Sequence, residues 1–228
     1  MAIKANDVLK VLQSWIGKKE SDGSFKSIID LYNTQKPLPR GYKVKYTDEW
    51  CAPCMTAAFH ALKATNIMFP ECSCQKMIEG SKKMGIWFED ESITPKAGDL
   101  ILYDWQDNGV GDDTGWADHI GMVEKVSNGV ITVIEGNNNA SVKRRTIKVN
   151  AKYIRGYIRP KYAAATNTKY KLTGNVNIRK GAGTNYGIIK VARKGETVEV
   201  SKITSNNWGY VSAVKGYISL NTKYTVKV

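Results

Sequence analysis

No stretch of this 228-residue chain approaches the ~20 consecutive apolar residues of a membrane-spanning helix, so that architecture is excluded. The first residues, MAIKANDVLK, hold no apolar export-signal core, and the expectation is a protein that stays in the cytoplasm or leaves the cell by another route. Histidine is scarce: His60 and His119 are the only two, so imidazole chemistry has two candidates. Acidic residues nearly vanish towards the C-terminus. Residues 161–228 hold 12 Lys or Arg against 2 acids, net +10, whereas residues 1–160 hold 22 against 19, net +3. Such a basic segment suits a polyanion (nucleic acid, an acidic lipid surface or an anionic wall polymer) or is simply a soluble charged surface. With 42% hydrophobic and 24% charged residues, the chain is globular, with room for one large domain or two unequal ones.

What the chain does have is four cysteines, Cys51, Cys54, Cys72 and Cys74, within 24 residues. Three explanations compete. A zinc site would use the C-x2-C and C-x-C pairs, but the second spacing is unusual and histidine is scarce. Trp50-Cys51-Ala52-Pro53-Cys54 is similar to the thioredoxin redox motif, and Pro95 lies about where a thioredoxin has its cis-proline. Yet a thioredoxin needs a buried apolar strand running into the motif, and Lys45-Tyr46-Thr47-Asp48-Glu49 is too polar. The third explanation is a single nucleophile. Pro53 lacks an N–H and fits only a helix's first turn, so the helix starts near Trp50 and Cys51 sits at its positive end, where a thiolate is favoured. Met55, Ala58, Phe59 and Leu62 then recur at helical spacing and face a core.

The remaining chain reads in two parts. Helices are expected at about Asp7–Ile16, with Gly17 as a stop; after Ser24 as a cap, carrying Phe25, Ile28, Ile29 and Tyr32; and at about Cys74–Met84. From Pro95 the pattern changes: Leu100-Ile101-Leu102-Tyr103 is a core strand, and the acidic loop Asp104–Asp113 lacks the EF-hand spacing of a calcium site. His119–Val126 and Val130–Glu135 flank Ser127-Asn128-Gly129 as a hairpin. With that three-residue loop, Gly121 faces Glu135 and His119 faces Asn137, so His119, Glu135 and Asn137 share one side of an antiparallel sheet of about five strands. Strands near Val142–Val149 and Ile154–Ile158 complete it. A linker is expected at 161–168, separating residues 1–160 from a small all-β unit at 169–228 whose short segments are divided by Gly174, Gly181-Ala182-Gly183, Lys194-Gly195 and Ser205-Asn206-Asn207.

A cysteine hydrolase needs a thiolate, an imidazole to take and return the proton, and a polar group to orient the imidazole. Cys51, His119 and Glu135 can fill these roles, with Asn137 as a substitute for Glu135 or a support to it. The Cys51 backbone N–H can meet the oxyanion. His60 rides nine residues along the cysteine's own helix, about 13 Å away, and is out of reach.

Trp50-Cys51-Ala52, Pro95-Lys96-Ala97-Gly98-Asp99-Leu100, Ala117-Asp118-His119-Ile120-Gly121-Met122-Val123 and Ile134-Glu135-Gly136-Asn137 resemble, in order, the motifs of the CHAP family of papain-like peptidoglycan amidases and endopeptidases. The likeness covers roughly residues 5–160. It implies an α+β papain-like fold, Cys51 as nucleophile, His119 as base, Glu135 as orienter and Asn137 as a fourth member. Cys54 departs from the family, which has an apolar or small residue there, and leaves open a silencing Cys51–Cys54 disulfide. The acidic calcium motif that some members carry before the cysteine is missing; no cofactor is expected, and calcium is the alternative, one that no motif supports. The C-terminal piece resembles a bacterial SH3-like (SH3b) wall-binding barrel through Val176-Asn177-Ile178-Arg179-Lys180-Gly181-Ala182-Gly183, Lys194–Val200, Trp208-Gly209-Tyr210-Val211 and Gly216-Tyr217-Ile218. Its aromatics are expected mostly in the core, with Tyr186, Trp208 and Tyr210 also candidates to face a peptide or glycan.

The resemblance implies a phage-endolysin-type peptidoglycan hydrolase that cuts an amide in the stem-peptide region. It would be made in the host cytoplasm and released to the wall at lysis, or secreted in the variant case. Its partners would be peptidoglycan and anionic wall polymers, with no nucleic acid and no membrane insertion. The competing classes are a thiol oxidoreductase using Cys51 and Cys54, and a non-catalytic wall binder.

Overall fold

The computed structural model describes residues 2–90, 92–107, 115–163 and 167–228. The chain divides into two compact units, Met1–Ala163 and Ala164–Val228. In the first, α1 (Ala5–Trp15), α2 (Lys26–Asn33), α3 (Cys51–His60) and α4 (Cys74–Lys83) precede β1 (Trp87–Phe88), β2 (Leu100–Tyr103), β3 (His119–Ser127), β4 (Val130–Glu135), β5 (Lys143–Lys148) and β6 (Ile154–Ile158). The strands form one antiparallel sheet in the order β1-β6-β2-β3-β4-β5. Its sixth member beyond the expected five is β1, a two-residue strand paired with Tyr157 and Ile158, too short to show a periodicity.

Helix α3 is the hub. Every residue from Cys51 to Phe59 is buried, so it has no solvent face. Its one buried hydroxyl is satisfied: Thr56 Oγ1 donates to the Glu71 carbonyl at 2.7 Å and accepts from the Glu71 N–H at 3.0 Å. Pro53 stands third in the helix, where its missing N–H costs nothing. Ser24 does not cap α2, which starts at Lys26. Its hydroxyl donates instead to Asp22 Oδ1 at 2.5 Å and accepts from Lys19 N at 2.9 Å, closing the preceding turn.

Both faces of the sheet are covered. Leu100, Leu102, Ile120, Met122 and Ile134 join the helices in the main core, while Ile101, Tyr103, Val123, Ile131, Val133, Ile154 and Tyr157 form a second cluster on the other side. This is why β2 reads as continuously apolar. The β3–β4 hairpin pairs Gly121 with Glu135, the expected register, but by another route. The loop has two residues, Asn128 and Gly129, both at positive φ, and a bulge at Glu124 restores the offset that the shorter loop removes.

The second unit packs β7 (Thr168–Leu172), β10 (Thr197–Val200) and β14 (Thr225–Lys227) in one sheet. Its second sheet contains β8 (Val176–Arg179), β9 (Ile188–Ala192), β11 (Lys202–Ile203), β12 (Trp208–Val211) and β13 (Gly216–Ser219). Its core is aliphatic, built from Leu172, Val176, Ile178, Ala192, Val198, Val200, Val211, Ile218 and Leu220. The aromatics expected in that core stay at its margin: Tyr170 packs against it from a half-buried position, and of the three candidates to face a ligand Trp208 and Tyr210 are half-buried and Tyr186 is exposed. The strands are short and the sheets close together, with Gly209 against Val200 and Leu220, so the interior suits branched aliphatics rather than rings. The expected linker is shorter than 161–168. Lys161 N bonds to Ile67 O, Tyr162 Oη to Gly98 O and Ala163 N to Ile3 O, at 2.8, 2.9 and 2.8 Å, while Thr168 already opens β7; residues 164–166 lie outside the described residues.

Gly121 offers a direct check of the sheet that carries the site. A Cβ there would lie 2.5 Å from Val133 Cγ1, 2.6 Å from Glu135 Cγ and 3.0 Å from the Ile134 carbonyl. Gly121→Ala is expected to lower unfolding stability by about 1–3 kcal/mol in denaturant titration, as overpacking does.

Candidate active site

The site forms where α3 begins and where β3 and β4 meet at one end of the sheet. Trp50 precedes the helix, its indole Nε1 donating to Glu20 Oε1 at 2.8 Å and its ring packing on Phe25 at 5.4 Å. Cys51 is the first helical residue and only 6% exposed. Its thiol is held down to about 5, first by a hydrogen bond from Cys74, then, against burial, by the bond and charge of His119 and the Ala52 backbone N–H. Cys74, the first residue of α4, places its Sγ 3.7 Å from that of Cys51, and its own thiol is pushed well up by that bond, burial and the Cys51 charge.

His119 opens β3. Its Nε2 lies 3.2 Å from Glu135 Oε2, which leaves Nδ1 for Cys51. Burial works against the imidazolium, but the bonds and charges of Cys51 and Glu135 more than offset it and raise the histidine to about 9. A thiolate–imidazolium pair is thus the resting form at neutral pH. Glu135 has no exposed surface. Burial raises its pKa, and the His119 bond and charge, with Arg145, bring it below the ordinary value. Its oxygens also accept from Asn138 Nδ2 at 2.6 Å and from Arg145 Nε at 2.8 and 3.0 Å.

The structure therefore brings Cys51, His119 and Glu135 together and places Asn137 differently. The strand ends at Glu135. Gly136 packs against Cys54 and Trp50, with room for no Cβ, and Asn137 turns to φ 55°, so the alternation stops and its amide donates to Glu49. The neighbour of Glu135 is Asn138, fixed in a turn by Asn138 N to Ser141 O and Ser141 Oγ to Asn138 O, both 2.9 Å. Sequence reasoning missed Asn138, Arg145 and Cys74. Arg145 had a signal: β5 pairs it with Val133, making it the diagonal same-face neighbour of Glu135. Cys74 had none, because only the tertiary meeting of two helix starts brings it to Cys51.

Beside His119 is a polar pocket of about 280 Å³ lined also by Trp105, Asn137, Asn138, Asn139 and Arg145. The Trp105 ring stacks on Tyr103 at 4.8 Å and lies under the Arg145 guanidinium at 5.1 Å, forming one wall. A larger depression of about 670 Å³ beside Asp30, Lys43 and Tyr46 contains neither nucleophile nor base. Chemistry assigns the smaller one to the site. His60 sits at the far end of α3, bonded to Thr34 Oγ1 at 2.8 Å. Cys54 is fully buried with its thiol raised, and Cys72 accepts from Arg40 Nη2 at 3.1 Å. Among the described residues no three His, Cys, Asp or Glu side chains converge to hold a metal ion; residues 108–114 of the acidic loop weighed for calcium lie outside them.

Residues 41–137 match the CHAP domain model and residues 174–225 the bacterial SH3 domain model. The chain thus carries a CHAP domain followed by a C-terminal bacterial SH3 domain. Among solved structures it is similar to "The crystal structure of Ly7917", at 16% identity and a TM-score of 0.43, over 98% of this chain and 97% of that one. It is also similar to "The crystal structure of Ly7917 with the hydrolyzing product of MDP", at 14% and 0.40, over 95% and 92%. No curated protein matches the chain.

Glu135→Gln removes the carboxylate charge that supports the imidazolium. The His119 midpoint, about 9, is expected to fall, read from imidazole ring-proton shifts in an NMR pH titration; an unmoved midpoint would contradict the pairing.

Proposed function

We propose that the CHAP unit hydrolyses an amide in the stem-peptide region of peptidoglycan, as an N-acetylmuramoyl-L-alanine amidase or a peptide endopeptidase. Cys51 is the nucleophile, His119 the acid–base and Glu135 the orienter. The observation that carries this reading is the Cys51–His119–Glu135 chain at a helix start. The Cys51 thiolate attacks the amide carbon, and the oxygen that becomes negative faces the Cys51 backbone N–H at the positive end of α3. His119, protonated at Nδ1, gives that proton to the departing amine, leaving an acyl-thioester. Neutral His119 then takes a proton from water, whose oxygen attacks the thioester, and the regenerated thiolate leaves as the carboxylate product is released. Glu135 holds the imidazole by Nε2 throughout, and Arg145 and Asn138 hold Glu135.

The bacterial SH3 unit binds the cell wall. We assign its net +10 to anionic wall polymers, with Tyr186, Trp208 and Tyr210 as contacts to peptide or glycan; none of the three is needed for the core. To this pairing of a cutting and a docking unit we assign an endolysin-type role, with a secreted autolysin as the variant.

Clearing of a panel of Gram-positive walls by the reduced protein, with mass analysis of products, tests the reading and names the bond. Cys51→Ala is expected to abolish clearing and His119→Ala to reduce it by about 10³-fold or more, while Cys54→Ser clears. Clearing that survives Cys51→Ala or needs Cys54 would overturn the assignment.

The pKa values set the pH profile. Below about 5 Cys51 takes up a proton and attack stops, and above about 9 His119 loses the proton the leaving amine needs. The kcat/KM on a soluble muropeptide should therefore form a plateau between these limits.

A further inference from the structure

Of the three remaining cysteines, only Cys74 has its sulfur set against the nucleophile. The Sγ atoms of Cys51 and Cys74 lie 3.7 Å apart, each at the first residue of its helix, and both residues are buried. Forming a disulfide of ~2.05 Å requires the two sulfurs to approach by less than about 2 Å. Cys54, the neighbour expected from the C-x-x-C spacing, packs against Gly136, and a Cβ on that glycine would come within 2.6 Å of its sulfur. Cys72 is occupied by the Arg40 guanidinium.

We propose that Cys51 and Cys74 are a reversible dithiol–disulfide pair, so that the nucleophile is itself a redox-modification site. The oxidant is a small-molecule disulfide. The Cys51 thiolate attacks one of its sulfurs, the S–S bond breaks, and one thiolate leaves, forming a mixed disulfide on Cys51. The Cys74 thiol gives its proton to the departing group and attacks Cys51 Sγ, expelling the second half of the oxidant as a thiol. Two electrons pass from the protein thiols to the small molecule, one disulfide is exchanged for another, and an excess of small thiol reverses the sequence. The acidic Cys51 makes it the attacking and attacked member, and buried Cys74 the resolving one. The consequence for activity rests on Cys51 being the nucleophile; the bridge itself does not.

The test treats the full-length reduced protein with glutathione disulfide, followed by intact mass measurement, non-reducing peptide mapping and wall clearing before and after. The wild type and Cys54→Ser should lose two hydrogen atoms and yield a Cys51–Cys74 cross-linked peptide. Cys74→Ser should stop at one glutathionyl group on Cys51. Wild-type clearing should fall to background on oxidation and return with a thiol reductant. A bridge mapped to Cys51–Cys54, or a wild type that stops at the glutathionyl adduct, overturns the proposal. If the Cys51–Cys74 bridge forms and clearing persists, the pair stands and the nucleophile assignment falls. If the reduced protein clears no wall, the hydrolase reading falls and the peptide map alone judges the pair.

Discussion

A carboxylate with no exposed surface has to be paired, because an isolated buried charge costs several kcal/mol. Glu135 is that group, and much of the first unit is arranged around its pairing. Charges alternate along a chain of four: the Cys51 thiolate, the His119 imidazolium, the Glu135 carboxylate and the Arg145 guanidinium. Each member stabilises its neighbour in its charged form, and the chain as a whole is neutral. The fold supplies these groups from four places: the start of α3, the start of β3, the end of β4 and the middle of β5.

The rest of the unit keeps those places fixed. A helix buried on every side cannot rotate to withdraw its first residue, and its internal polar group is matched by the Glu71 backbone. Gly121 lets β4 approach β3 closely enough for Glu135 to reach the imidazole Nε2. Segment 17–20 is tied to 140–142 by Gly17 N to Val142 O and Glu20 N to Ala140 O, both 2.9 Å, and Glu20 also holds Trp50. The loop that presents Asn138 and the residue preceding Cys51 are thereby braced by the same strap.

Local chemistry was legible in the sequence wherever one residue type enforces one backbone state. Pro53 placed Cys51 at a helix start, and Asn128-Gly129 located a hairpin that put His119 and Glu135 on one face. The register emerged correctly although the loop is one residue shorter than expected, because the bulge at Glu124 compensates for it; no residue pattern announces such a bulge. Alternation carried the reading to Glu135 and failed one step beyond, where Asn137 leaves the strand conformation and Asn138 takes the place beside the carboxylate. The CHAP match also ends at Asn137, short of Asn138 and Arg145. Cys74 and the aliphatic interior of the SH3 unit depend on how distant segments meet, which periodicity does not encode.

The central claim is that Cys51 rests as a thiolate stabilised by the second thiol and the imidazolium. The most direct test is the pH dependence of Cys51 alkylation by iodoacetamide, followed by mass spectrometry on the reduced protein. The rate is expected to rise with a midpoint at about 5, and in His119→Ala with a higher one. A midpoint near the ordinary ~8.5 of a free cysteine in the unsubstituted protein would contradict the account.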